Sequence, residues 1–226
     1  MDFTNKQKII SLVLKALVIV SVIVGVFQSW YAGRNAFMGG SSVFMYFTIQ
    51  SNIAVGIIAL IGLVLLLRKT IITQTWYLIK FVGTVSITLT GIVFCFVLAP
   101  TMGNAAWNVQ NILTHVIVPV AFVVDFFVTS NQSELKKSSV LYVILPPLVY
   151  AIYAGIGYVC NWQFAPGYNY PYFFLNWGSP AGALKFTSEF PFMGCLWWIF
   201  VLLIFLIAVA YGYLKIVDLI KKQKNK

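Results

Sequence analysis

Apolar residues along this chain are grouped into six long runs, separated by short polar stretches. The runs lie at about residues 9–29, 43–67, 76–98, 107–128, 139–160 and 192–214. A helix needs about 20 mainly apolar residues to cross the hydrocarbon core of a bilayer, and each run is near that length. The pattern predicts an all-α fold: a polytopic membrane protein with one bundle of six transmembrane helices over residues 1–226.

Composition and charge agree with a membrane protein and add an orientation. The chain is 61% hydrophobic and only 9% charged, which excludes an ordinary soluble domain. Of its 15 lysines and arginines, only Arg34 and Lys185 lie at the helix ends opposite the termini, and the other 13 lie on the side of the termini. Because cytoplasmic loops carry the excess of basic residues, both termini are predicted to be cytoplasmic. The same distribution indicates contacts with membrane lipids and argues against a nucleic-acid partner, despite a net charge of +10.

The chain has one histidine, and it lies inside the fourth apolar run. An ionisable group at membrane depth costs on the order of 2.5 kcal/mol or more, so His115 is a candidate functional residue. Histidine also exchanges protons near neutral pH. The alternative is a neutral imidazole that forms a structural hydrogen bond to a neighbouring helix.

Two polar stripes at helical spacing lie near His115. Thr48, Asn52 and Gly56 recur every four residues in the second run, and Asn111 precedes His115 by four in the fourth run. With a rise of about 1.5 Å per residue, Thr48 and His115 are both predicted to lie about 8–12 Å below the same membrane surface. Such a layer is typical of an active site, but polar side chains also hold membrane helices together.

Asp125 is predicted to have a structural role. It lies ten residues after His115, about 15 Å farther along the helix, so it cannot orient that imidazole. We expect it to form an ion pair with Lys80, Lys136 or Lys137 near the cytoplasmic surface.

The chain contains no pattern that predicts a metal or cofactor site. Its three cysteines do not have the spacing of zinc ligands, and phosphate-binding glycine motifs are absent from the sequence. Cys160 and Cys195 fall near the same membrane surface, where either a disulfide or two packed thiols would fit.

The loop between the fifth and sixth runs, residues 161–191, is long and rich in aromatic residues; we call it the aromatic segment. Long loops in compact domains are usually functional or disordered, and this composition argues against disorder. The segment is either an interfacial belt of aromatic side chains or a lid over a cavity. As a lid, its substrate-pocket residues would be Tyr170, Tyr172, Phe173, Phe174 and Trp177.

Three short motifs resemble the androgen-induced-gene family of multi-span membrane proteins, and more closely its prokaryotic six-span relatives. The motifs are Tyr46-Phe-Thr-Ile-Gln-Ser-Asn52, Asn111-Ile-Leu-Thr-His115 with the residues that follow it to Asp125, and Tyr170-Pro-Tyr-Phe-Phe-Leu175. The resemblance implies an intramembrane hydrolase of fatty acyl esters in the cytoplasmic membrane of a bacterium. It assigns the nucleophile to Thr48 and the companion histidine to His115. Phe47 stands where the animal proteins have leucine, and Asp125 where they have glutamate.

The mechanism implied is acyl transfer to threonine. His115 would act as the general base, and Asn52 and Asn111 are the predicted donors to the oxyanion or, alternatively, orient the imidazole. A non-enzyme that uses the same polar layer, such as a transporter of protons or small solutes or a lipid-binding protein, is the alternative function.

Overall fold

The computed structural model describes residues 3–34, 40–70, 73–130 and 135–224, and in these ranges six helices are long and apolar enough to cross a membrane. The prediction of an all-α six-helix bundle is confirmed. The helices are α1 (Asn5–Gly33), α2 (Phe47–Leu67), α3 (Gln74–Ala106), α4 (Val109–Thr129), α5 (Lys137–Val159) and α6 (Cys195–Lys224). Which membrane surface each end faces stays a prediction from the lysine and arginine distribution.

Two helices begin at residues other than the first residue of their apolar run. Thr4 caps α1 in a capping box with Gln7, so that helix starts four residues before its apolar run. The second helix starts later than predicted. Gly40–Met45 forms a short 3-10 helix, Tyr46 is extended, and α2 begins only at Phe47. Thr48 therefore lies in the first turn of α2.

Helix α3 lies at the centre of the bundle. Two-thirds of its apolar stretch, 67%, is buried against protein, the largest share of the six helices. One face contributes Ile87 to a core with Val22 and Phe122, from α1 and α4. Its other side packs Phe81 against a core that includes Leu206 of α6. Side chains from all the other helices can thus meet near α3.

The aromatic segment folds back over one end of the bundle, which we call the loop end. Phe164 and Leu175 are fully buried there. The hydroxyl of Tyr46 donates to the carbonyl of Phe164, 3.2 Å away. The opposite end, which carries both termini, is the terminal end. The segment thus covers the bundle with buried side chains, as a lid would, and not only with a belt of rings.

At the terminal end, Asp125 forms two buried ion pairs. Its carboxylate lies 2.7 Å from Nζ of Lys15 and 2.6 Å from Nζ of Lys80. The hydroxyls of Ser11 and Thr129 each accept a hydrogen bond from one of the two ammonium groups. The expected partner Lys80 is confirmed. Lys136 and Lys137 form no ion pair with Asp125 in the described structure. The second ion pair is formed by Lys15, which lies within α1.

The three cysteines are free. Cys160 is exposed at the end of α5 and Cys195 is buried at the start of α6, so the disulfide alternative does not hold in this structure.

Candidate active site

The structure brings Thr48 and His115 together at the loop end. The distance between His115 Nε2 and Thr48 Oγ1 is 3.3 Å, across 67 residues of sequence. His115 is 7% exposed and Thr48 is half-buried. A threonine hydroxyl becomes a useful nucleophile when a base within this reach accepts its proton. The pair has the separation that such a reaction requires.

The hydrogen bonds of His115 determine which imidazole nitrogen carries the proton. Nδ1 lies 3.1 Å from the backbone carbonyl of Asn111, which can only accept. It also lies 3.1 Å from the hydroxyl of Thr114, which already donates to the carbonyl of Gln110. Both neighbours therefore require a proton on Nδ1. In the neutral ring Nε2 is then the acceptor, and it faces Thr48.

A proline positions this imidazole within α4. Pro119 has no N–H to donate to the carbonyl of His115, so the regular α-helical hydrogen bond is missing there. The helix widens into a π-turn over Leu113–Ile117, with the N–H of Val118 bonded to the carbonyl of Leu113. Such π-bulges are frequent at functional sites.

A second π-turn brings Phe94 onto the histidine. It spans Phe94–Leu98 in α3 and precedes Pro100 in the same way. The rings of Phe94 and His115 stack with centroids 3.8 Å apart and planes 19° from parallel. This contact fixes the imidazole plane and covers one of its faces. Sequence reasoning missed Phe94 because one phenylalanine in an apolar run carries no distinguishing signal.

Thr48 is the second residue of α2, where backbone N–H groups have no partner inside the helix. Tyr46, the N-cap residue, makes no side-chain hydrogen bond to the helix. Instead, Thr48 N–H donates to the hydroxyl of Tyr172, 3.3 Å away. The same hydroxyl lies 3.5 Å from Thr48 Oγ1. The nucleophile candidate thus lies at the positive end of a helix dipole, beside a phenol.

The hydroxyl of Tyr172 is directed at Thr48, a contact that the sequence did not predict. Burial raises the pKa of the Tyr172 phenol above its ordinary value of 10.0. The group therefore stays protonated near neutral pH and can donate a hydrogen bond.

The two asparagines are not directed at Thr48 Oγ1. Asn52 Nδ2 donates to the backbone carbonyls of Thr48 and Thr114, at 2.8 and 3.0 Å, which ties α2 to α4 beside the site. Asn111 Nδ2 donates to the carbonyl of Ala106. Asn52 therefore has both amide hydrogens in use, which contradicts the oxyanion role predicted for it. For Asn111 the oxyanion role stays a prediction, and its backbone carbonyl orients the imidazole.

A cavity of about 470 Å³ opens onto the pair; we call it the site cavity. Thr48, His115 and Phe94 line it from the helices. From the aromatic segment come Tyr170, Tyr172 and Phe173. Phe174 instead faces a second, smaller space beside Thr48. Trp177 lines neither space, so its predicted place in a substrate pocket is wrong; its indole lies near Gly155 of α5.

Within the described ranges, no three His, Cys, Asp or Glu side chains approach one another as metal ligands would.

No family model, curated protein or solved structure matches this chain. The resemblance of the three motifs to the androgen-induced-gene family thus stays an expectation, and the site is interpreted from its geometry.

Proposed function

We propose that this protein is an integral membrane hydrolase of lipid esters, with Thr48 as nucleophile and His115 as general base. The observation that supports this best is the acceptor nitrogen of His115, 3.3 Å from Thr48 Oγ1 and open to a cavity large enough for a drug-sized ligand. Purified protein given a panel of lipid esters should release acid and alcohol, and the Thr48→Ala variant should not.

In the first half of the reaction, Thr48 Oγ1 attacks the ester carbonyl carbon while its proton moves to His115 Nε2. The carbonyl oxygen takes the negative charge of the tetrahedral intermediate. As that intermediate collapses, the bond to the alkoxy oxygen breaks, and the imidazolium gives its proton to the leaving alcohol. The acyl group remains on Thr48 as an ester.

In the second half, water enters on the side of His115. The imidazole takes a proton from the water as the water oxygen attacks the acyl carbonyl carbon. Collapse breaks the bond to Thr48 Oγ1, which regains the proton, and the carboxylic acid leaves. The carbonyl of Asn111 accepts a hydrogen bond from Nδ1–H throughout. Nε2 therefore acts as the base and then as the acid in both halves of the reaction.

The oxyanion requires a donor near Thr48 Oγ1, and we assign this role to the Tyr172 hydroxyl. Its oxygen lies 3.5 Å from Thr48 Oγ1, and it borders the site cavity. The first-turn amides of α2 add a positive partial charge there.

Replacing Tyr172 with phenylalanine should lower kcat by roughly 10²- to 10³-fold, because one preorganised donor to the oxyanion is lost. The measurement is steady-state hydrolysis of one ester by purified protein. Tyr170→Phe removes a hydroxyl from the same cavity wall and serves as the matched control, with kcat nearly unchanged. An unchanged kcat with a raised KM in Tyr172→Phe would instead make this phenol a binding group only.

The proposed location is the cytoplasmic membrane of a bacterium, with both termini cytoplasmic and the site near the outer surface. The concentration of basic residues on the side of the termini supports this orientation. Membrane lipids would then surround the bundle and deliver an apolar ester to the loop end.

A further inference from the structure

A second space borders Thr48 and is not lined by His115; we call it the apolar pocket. It has a volume of about 70 Å³, and Thr48, Phe94, Leu98 and Tyr172 line both this pocket and the site cavity. The rest of its wall is mostly aliphatic and aromatic and comes mainly from α3, α5, the aromatic segment and α6.

The few other hydroxyls on this wall are already used. Thr90 Oγ1 is hydrogen-bonded to Ser51, 2.7 Å away, and the hydroxyl of Tyr150 donates to the carbonyl of Met45. Neither hydroxyl therefore has a hydrogen left to donate to a polar ligand. Apart from the groups at Thr48 itself, the apolar pocket offers only hydrocarbon surface, which fits an alkyl group.

The position of His115 decides which part of an ester enters each space. The imidazole must give a proton to the leaving alcohol and later take one from water, so both must lie in the site cavity that His115 lines. The acyl group stays on Thr48 through both steps and would obstruct the path of the water if it lay beside His115. The apolar pocket borders Thr48 and is not lined by His115, so it offers the acyl group a separate place.

The apolar pocket is the smaller of the two spaces that border Thr48. Its 70 Å³ is about half of a cavity of ~150 Å³ that accepts benzene, which leaves room for about two to four carbon atoms. The site cavity, at about 470 Å³, is several times larger.

We infer that the apolar pocket is the acyl subsite, and that the substrates are esters of a short acyl group on a large amphiphilic alcohol. This inference rests on the proposed hydrolase function and changes its substrate class. The resemblance predicts a fatty acyl chain, whereas the two spaces place the long part of the ester on the alcohol side.

Two substitutions test the inference by changing the pocket in opposite directions. Ala151→Leu fills it from α5, and Ile199→Ala enlarges it from α6. Ile204→Ala and Ala208→Leu are the matched controls, since both residues are exposed on α6 and line neither space. Size-exclusion chromatography and thermal unfolding in detergent would establish that all four variants are folded.

The experiment measures kcat/KM for acetyl, butanoyl, octanoyl and hexadecanoyl esters of one long-chain alcohol, presented in detergent micelles. Wild type should prefer the butanoyl to the hexadecanoyl ester by at least about tenfold, since a fixed pocket gains or loses about 10- to 200-fold per methylene that fits or clashes. Ala151→Leu should lower the butanoyl-to-acetyl ratio, Ile199→Ala should raise the octanoyl-to-butanoyl ratio, and both controls should keep the wild-type ratios.

Thr48-dependent hydrolysis that favours the hexadecanoyl ester would overturn the acyl-subsite assignment and leave the hydrolase proposal standing. Unchanged ratios in both pocket variants would do the same. If the protein hydrolyses none of the esters, the result contradicts both the hydrolase proposal and the acyl-subsite assignment.

Discussion

Replacing Thr48 with alanine should lower ester hydrolysis by on the order of 10³- to 10⁶-fold, the largest effect expected of any substitution in this protein. The hydroxyl is the atom that attacks, and no other hydroxyl lies beside the acceptor nitrogen of His115 as Thr48 Oγ1 does among the described residues. The measurement is kcat/KM of purified protein in micelles. Thr101→Ala provides the control, because it removes a threonine hydroxyl from the wall of the same cavity.

A double-mutant comparison distinguishes a catalytic pair from two separate effects. His115→Gln should cost nearly as much as Thr48→Ala, because the base and the nucleophile act as one unit. The double variant should then be no slower than the slower single variant. If the two losses multiply, or if Thr48→Ala keeps more than about a tenth of the activity, Thr48 and His115 do not work as nucleophile and base.

Replacing Asp125 with asparagine should lower the free energy of unfolding by about 3–5 kcal/mol, because two ammonium groups would remain buried without their counter-charge. Lys15 and Lys80 are 5% and 4% exposed, so bulk water has little access to their ammonium groups. The measurement is the unfolding midpoint in detergent with increasing denaturant.

Asp218→Asn is the matched control, since that aspartate is exposed on α6 and its substitution should have little effect. Replacing Lys15 and Lys80 with methionine in the Asp125→Asn background should recover much of the loss, because the buried charges are then gone. Equal midpoints for Asp125→Asn and Asp218→Asn would show that the ion pairs contribute nothing. At about 15 Å along α4 from His115, Asp125 should leave the kcat of the folded fraction unchanged.

The features that follow from periodicity were predicted well from the sequence. Six apolar runs of bilayer length define the helices, because each must satisfy its backbone hydrogen bonds internally in lipid. The rise of a helix also predicted a shared depth for Thr48 and His115, and their side chains do meet, although α2 begins only at Phe47. The ion-pair partners of Asp125 were harder to assign from the sequence. Lys15 follows Lys6 and Lys8 near the start of the first apolar run, where basic residues usually face the membrane surface.

The detailed geometry of the candidate site depends on contacts that the periodicity of the sequence does not encode. The late start of α2 at Phe47 gives Thr48 an N–H without a partner in the helix, and a tyrosine 124 residues away in the sequence accepts it. The π-turn at His115 could have been suspected from Pro119, four residues later. The stacking of Phe94 on His115 could not have been predicted, because it requires a π-turn in each of two neighbouring helices at the same depth in the bundle.

Covalent labelling of Thr48 tests the central claim most directly. Purified protein would be treated with an alkyl phosphonate that carries a good leaving group, digested, and analysed by mass spectrometry. We expect one adduct on the peptide that contains Thr48, formed much more slowly in His115→Gln and absent in Thr48→Ala. An unlabelled Thr48 in folded wild-type protein, or equal labelling with and without His115, would contradict the account and favour a transporter or lipid-binding protein that uses the same polar layer.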